Sequence, residues 1–118
     1  MEVVNLAQKA TLFNDHWHPR IVGELNGQQV KLAKIEGEFI WHTHDEEDEM
    51  FLVISGSLKM CLDDGDKILN EGEMIIVPKG VRHKPVAEKE CTIMLFEPKG
   101  VVNTGTEGGE RTVEAEWI

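Results

Sequence analysis

Long apolar runs are missing from this sequence. None approaches the ~20 residues that span the hydrocarbon core of a bilayer, and no basic-then-apolar leader opens the chain. The expectation is a soluble, cytoplasmic protein with no membrane partner. Positive charge is scarce too: 12 Lys and Arg stand against 22 Asp and Glu, for a formal net charge of -10. That balance repels phosphate backbones, so nucleic acid is not an expected partner, and no helix-turn-helix segment is present. Cysteine is limited to Cys61 and Cys91, each inside a strand-like apolar run, "LKMCLD" and "ECTIMLF". They could pair, but buried free thiols are the favoured reading in a chain without export signals. Convincing amphipathic helices, internal repeats and a second compositional block are also lacking. One domain over residues 1–118 is expected.

The 41% hydrophobic fraction suffices for one core, and the 11 glycines punctuate short apolar runs. "RIVGEL-NG-QQVKLAKIEG" places two strand-like runs on either side of Asn26-Gly27, the strongest short hairpin signal. Further strands are predicted over residues 39–44 and 49–54, then in "LKMCL", "KIL", "MIIV" and "RHKPV". A turn is expected around residues 88–90, before a last strand over 91–96. Many short strands at regular turn spacing argue a sandwich or barrel. The barrel core falls at about 20–98. Residues 99–118 read as a C-terminal arm along the surface, tacked down by Trp117 and Ile118. The segment before Pro19 has no clear pattern.

"GEFIWHTHDEEDEMFLVISG" carries the chemistry. Residues two apart in a strand share a face, so His42 and His44 point the same way. If the acidic stretch returns the chain antiparallel, Glu49 sits across from them, and His83 follows a Pro-Gly turn further on. Three imidazoles and one carboxylate from neighbouring strands suit iron, manganese, nickel, copper or zinc. Burying such groups without partners costs roughly 2 to 7 kcal/mol each, and a divalent cation offsets that cost.

The spacing resembles the two motifs of the cupin superfamily. The first reads Gly37, four residues, His42-Thr43-His44, four residues, Glu49, six residues, Gly56. The second reads Gly72, five residues, Pro78-Lys79-Gly80, two residues, His83. The spacer after Gly37 is one residue short of the family pattern, and the final Asn position of the second motif falls on Ala87. The resemblance implies an all-β double-stranded β-helix, the jelly-roll cupin barrel, with one divalent transition metal per chain on His42, His44, Glu49 and His83. The family pattern admits Asp48 or Glu49 as the acidic ligand. Counting back six residues from Gly56 selects Glu49, which leaves residues 45–48 as a solvated loop.

A second His-x-His, His16 and His18 in "DHWHP", lacks the following Glu and Gly register and reads as a surface pair. Alternation turns Phe51, Val53, Met60 and Leu95 inward, an apolar lining with no inward Lys or Arg cluster. It turns Met50, Leu52 and Ile54 outward, with Phe39 and Trp41 opposite the histidine face. A wall apolar on both sides needs cover, and a homodimer is the expected cover, with the N-terminal segment as the alternative. The resemblance does not give the reaction; the metal site and its apolar lining point to a metal-dependent enzyme on a small organic molecule, dioxygenase- or isomerase-like, with Glu49 as a candidate base. The other reading is a non-catalytic binder of a small-molecule ligand or metal.

Overall fold

The computed structural model describes all 118 residues. The regular structure is nearly all strand. A five-residue helix, α1 (Leu6–Ala10), is capped by Asn5, whose side chain accepts from the Gln8 N–H. Then come β1 (Arg20–Leu25), β2 (Gln28–Glu38), β3 (Glu49–Ser55), β4 (Ser57–Leu62), β5 (Lys67–Asn70), β6 (Met74–Val77), β7 (His83–Pro98) and β8 (Glu116–Trp117). No helix is long and apolar enough to cross a membrane.

The Asn26-Gly27 turn closes the β1–β2 hairpin with both residues at positive φ, 50° and 76°. That twist matches the flanking strands, and Leu25 pairs Gln28 directly across it. The expected turn at residues 88–90 does not occur. The chain runs straight through it as β7, 16 residues long. The polar residues Glu88, Lys89 and Glu90 are simply the exposed middle of a strand that changes partners. Before them β7 pairs β4, from Leu62↔His83 to Lys59↔Val86. After them it lies between β2 and β3, with Ala33↔Ile93 on one side and Val53↔Ile93 on the other. This long strand ties the two walls of the barrel together.

Inward residues from these walls form a core of 12 buried side chains that includes Val53, Leu58, Met60 and Cys91, each 0% exposed. Burying a side chain of the size of Leu58 contributes about 1.5 to 3 kcal/mol. Cys61 and Cys91 are both buried and free. A second, smaller cluster forms on the opposite face of β2, where Phe13, Val22 and Leu32 pack with Leu6, Ile54, Met94 and Ile118. The unpatterned N-terminal segment therefore covers part of the outer wall, including Ile54. The end of the arm returns to β1, with β8 parallel to it and the Ile118 N–H donating to the Ile21 carbonyl at 3.1 Å.

Candidate metal centre

Residues 39–48 link β2 to β3 without forming the expected strand; their single ladder contact is the bridge between His42 and His83. There His42 N–H donates to the His83 carbonyl and His83 N–H to the His42 carbonyl, both at 3.0 Å. Gly80 N–H donates to the His44 carbonyl at 2.8 Å, and Lys79 N–H to Asp48 Oδ1 at 2.9 Å. These bonds stitch the His-x-His segment to the Pro78-Gly80 turn. Glu49 and His83 are the first residues of β3 and β7. One donor atom from each of His42, His44, Glu49 and His83 lies within 4.8 Å of all the others. All four residues are buried, at most 5% exposed.

Ring orientation is fixed from behind. His42 Nδ1 donates to the Ile40 carbonyl at 2.8 Å, and His83 Nδ1 to the Val81 carbonyl at 2.9 Å. A carbonyl oxygen only accepts, so both rings carry a proton on Nδ1. In the neutral rings Nε2 then presents a lone pair to the centre. His83 Nε2 stands 3.3 Å from Glu49 Oε1, and His44 Nε2 3.4 Å from the same oxygen. His44 Nε2 is buried without a hydrogen-bond partner. Imidazole nitrogens and a carboxylate converging on one buried point are costly unless a cation takes them up. Three imidazole nitrogens and one carboxylate suit a divalent transition metal, so the residues present fit such an ion.

Protonation follows the same crowding. Burial, helped by the neighbouring His83, pulls His42 down to about 4. Burial acts downward on His44 as well, but Glu49 outweighs it and the net direction is up. For Glu49, burial acts upward and is overcome by the close Glu97, His44 and His83 side chains, which hold it well below the usual carboxylate range.

Beside the cluster lies a small, partly open cavity that His42 and Glu49 help to line. Phe51 and Leu95 line it as expected, whereas Val53 and Met60 belong to the packed core. Two lining residues escaped the sequence reading: Lys31 on β2 and Glu97 on β7. Both are buried, 2% and 3% exposed, with Lys31 Nζ 2.8 Å from Glu97 Oε1. The expectation of no inward Lys or Arg cluster is corrected to one inward lysine, paired. Burial and the nearby Glu49 charge push the Glu97 carboxyl well above its ordinary range, against the pull of Lys31. Continuing the inward alternation Ile93, Leu95 by one step reaches Glu97, and running Ile35, Ala33 backward reaches Lys31; that pattern was the available signal.

Phe39 also differs from expectation. It is not on an outer face: its ring stacks on Trp17 at 4.9 Å and sets its edge against His42 at 5.3 Å. Leaving the strand geometry after β2 releases it from the alternation. Trp41 does face away from the cavity, flanked by the Arg82 guanidinium 4.3 Å above its ring. Asp45, Glu46 and Asp48 are exposed and Glu47 half-buried, the loop the spacing predicts. His16 pairs with Glu90 at 3.0 Å and His18 with Asp15 at 3.3 Å, apart from the cluster.

The arm contributes Val101, Asn103, Val113 and Ala115 to the cavity lining. Gly105, at φ 58°, lies so close to the Thr43 backbone that an added Cβ would fall 1.9 Å from the Thr43 carbonyl oxygen. Thr106 N–H donates to that same carbonyl at 3.0 Å. Arg111 rests its guanidinium 4.9 Å from the Phe39 ring.

A family model described as the cupin domain matches residues 28–97, which include all four clustered residues. A cupin-2 domain protein of Shewanella frigidimarina is 49% identical, covering 82% of this chain and 95% of that one, with a TM-score of 0.81. A Neisseria meningitidis protein is 34% identical over 83% of this chain and 100% of its own, with a TM-score of 0.76. Among curated proteins, the Bacillus subtilis protein YdbB is 34% identical over 64 residues, 53% of this chain and 57% of its own length. The match thus spans little more than half of that curated relative. A hydroquinone 1,2-dioxygenase shares the fold at 18% identity, with a TM-score of 0.67. With its barrel and its family match over residues 28–97, the chain belongs to the cupin domain family.

Proposed function

We propose that His42, His44, Glu49 and His83 bind one divalent transition metal per chain, and that the site acts on a small organic molecule in the adjoining cavity. The observation that carries this reading is the convergence of four buried donor atoms within 4.8 Å. Bound there, the ion supplies Lewis acidity or a point of attachment for substrate or dioxygen. The chain's own contribution is positional. Ile40 and Val81 carbonyls aim two Nε2 atoms inward, and the apolar lining keeps water away from the donors. Glu49 is the one carboxylate in the cluster and the candidate base. A dioxygenase- or isomerase-like reaction suits this arrangement, and a hydroquinone 1,2-dioxygenase shares the fold. Iron, manganese, nickel, zinc and copper are all compatible with the donor set.

Elemental analysis of untagged protein purified without chelators tests the centre. Wild type is expected to carry about one ion per chain, and His44→Ala and Glu49→Ala far less. Equal metal in all three proteins would remove the site. The arm's share of the cavity lining favours a second reading, a binder that retains its ligand without turnover. Oxygen uptake or product formation with Fe(II) or Mn(II), across phenols, diketones and sugars, separates the two. We read residues 1–118 as one cytoplasmic functional unit, barrel at about 20–98 and arm at 99–118, that works as a homodimer through its outer apolar wall.

A further inference from the structure

The cavity holds a polar pair outside the four clustered residues. Lys31 and Glu97 come from adjacent strands in register: Gln29 pairs Glu97 and Lys31 pairs Leu95, which makes Lys31 and Glu97 diagonal neighbours on the inward face. A fully buried ion pair is a poor way to stabilise a barrel, because the desolvation of both charges consumes most of the attraction. Apolar residues of similar volume would hold this position at least as well. The pair is also incompletely satisfied. The Lys31 ammonium has three N–H donors and makes one hydrogen bond, to Glu97 Oε1 at 2.8 Å. Glu97 Oε2 is buried with no hydrogen-bond partner. Spare donors and a spare acceptor therefore stand side by side in a cavity whose other walls, apart from the metal cluster, are largely apolar: Ala33, Phe51, Ile93 and Leu95.

We propose that Lys31 and Glu97 together recognise a hydroxyl group on a small, otherwise apolar substrate such as a phenol, an enol or an alcohol. The hydroxyl oxygen accepts from Lys31 Nζ, and the hydroxyl hydrogen is given to Glu97 Oε2. A group that both gives and takes fits the pair wherever the Glu97 proton resides. A carboxylate or phosphate would satisfy Lys31 but would set its charge against Glu97 and, next to it, Glu49. An apolar analogue would leave both spare groups unpaired, which sites built to bond a hydroxyl discriminate against strongly. This specificity deepens the reading of the cavity as a substrate site, yet it rests on residues outside the metal cluster and can be measured without metal.

The probes are phenol, fluorobenzene and benzoate, three molecules of similar size that differ in the polar group. Their affinities are measured by ligand-observed NMR titration on chelator-treated and on metal-loaded full-length protein, with metal content read in parallel. Phenol is expected to bind metal-free wild type at least about tenfold more tightly than either analogue. In the double variant Lys31→Met/Glu97→Met, which keeps an apolar filling and leaves no lone charge, the preference should fall to within about twofold. Lys31→Met alone serves as a second variant, expected to lose the preference over benzoate least, because Glu97 remains. Equal affinity for phenol and fluorobenzene in wild type, no binding of phenol, or a preference unchanged in a folded double variant would each overturn the assignment. Absence of metal with the phenol preference intact would instead strike only the metal centre.

Discussion

His83 Nε2 lies 3.3 Å from Glu49 Oε1, while the other nitrogen of the same ring donates to the Val81 carbonyl at 2.9 Å. With Nδ1 committed to that carbonyl, Nε2 is left facing the carboxylate, an arrangement that a shared cation stabilises. Removing the cation is expected to cost stability. A metal present at about a hundred times its dissociation constant adds roughly 2.7 kcal/mol, which for a chain of this size raises Tm by about 10 °C. Glu49→Gln keeps the shape and deletes the charge, so its metal-dependent rise should shrink to a few degrees. Thermal melts with and without chelator measure both, and an equal rise in the two proteins would exclude Glu49 as a ligand.

Acidification should weaken the metal-free protein in part through His42. Its folded value of about 4 lies below the ordinary 6.5 because burial and His83 disfavour the imidazolium. The unfolded chain therefore takes up this proton first as pH falls. The stability linked to a neutral His42 is complete above the unfolded value and is lost as pH drops from about 6.5 toward 4, roughly 3 kcal/mol in all. Glu49 and Glu97 also titrate, so the informative quantity is a difference. Denaturant melts at pH 7 and pH 4 should show wild type losing about 3 kcal/mol more than His42→Gln. Parallel losses in the two proteins would show that His42 is not the responsible group.

The parts legible in the sequence are those fixed by local chemistry. Asn26-Gly27 adopts the positive φ its hairpin needs, and the spacing from Gly37 to Gly56 and Gly72 to His83 brings four donors together: Glu49 and His83 open strands, and the segment with His42 and His44 is bonded to His83 and Gly80. What escaped depends on partners distant in sequence. Glu88 to Glu90 look like a turn in isolation, but β7 exchanges β4 for β3 there and stays extended. Lys31 looks like the solvent-facing residue of an alternating strand. β2, however, is covered on both faces, with Leu32 in the outer cluster and Ala33 in the core, and its periodicity alone does not say which side a lysine takes. Phe39 left its expected face because the chain stops being a strand after Glu38.

Gly105 should control how the arm seats beside the cavity. Alanine there meets the Thr43 carbonyl at 1.9 Å in addition to the strain of φ 58°. Gly108 has a similar φ of 61° with nothing within 4 Å of the added carbon, so Gly108→Ala isolates the strain. Positive φ alone costs on the order of 1 to 3 kcal/mol. Hydrogen exchange of the Thr106 amide, which donates to Thr43, is expected to accelerate far more in Gly105→Ala than in Gly108→Ala. Metal content should be retained in Gly108→Ala, whose added carbon meets nothing within 4 Å. Matching exchange rates in the two variants would mean that the close approach to Thr43 does not hold the arm.

The outer wall carries the last prediction. Met50 pairs Ile76 and Leu52 pairs Met74 across β3 and β6. Ile76 and Met74 are 55% and 51% exposed, and Met50 and Leu52 half-buried. The N-terminal segment reaches Ile54 and Met94 with its small cluster, but Met74 and Ile76 are not part of that cluster. A contiguous apolar strip at the free side of β6 is thus left uncovered by the chain itself, and a two-fold copy of the same strip is its self-complementary cover. A stable interface buries about 800 Å² per partner, so β6 alone is too small and the strip across β3 must take part. Light scattering on wild type should give twice the 13.3 kDa chain mass. Ile76→Lys, which puts a charge in the middle of the strip without touching the core, should give the single-chain mass at micromolar concentration with metal content unchanged. A wild type that is monomeric across the accessible concentration range, or an Ile76→Lys variant that remains dimeric, would place the contact elsewhere or nowhere.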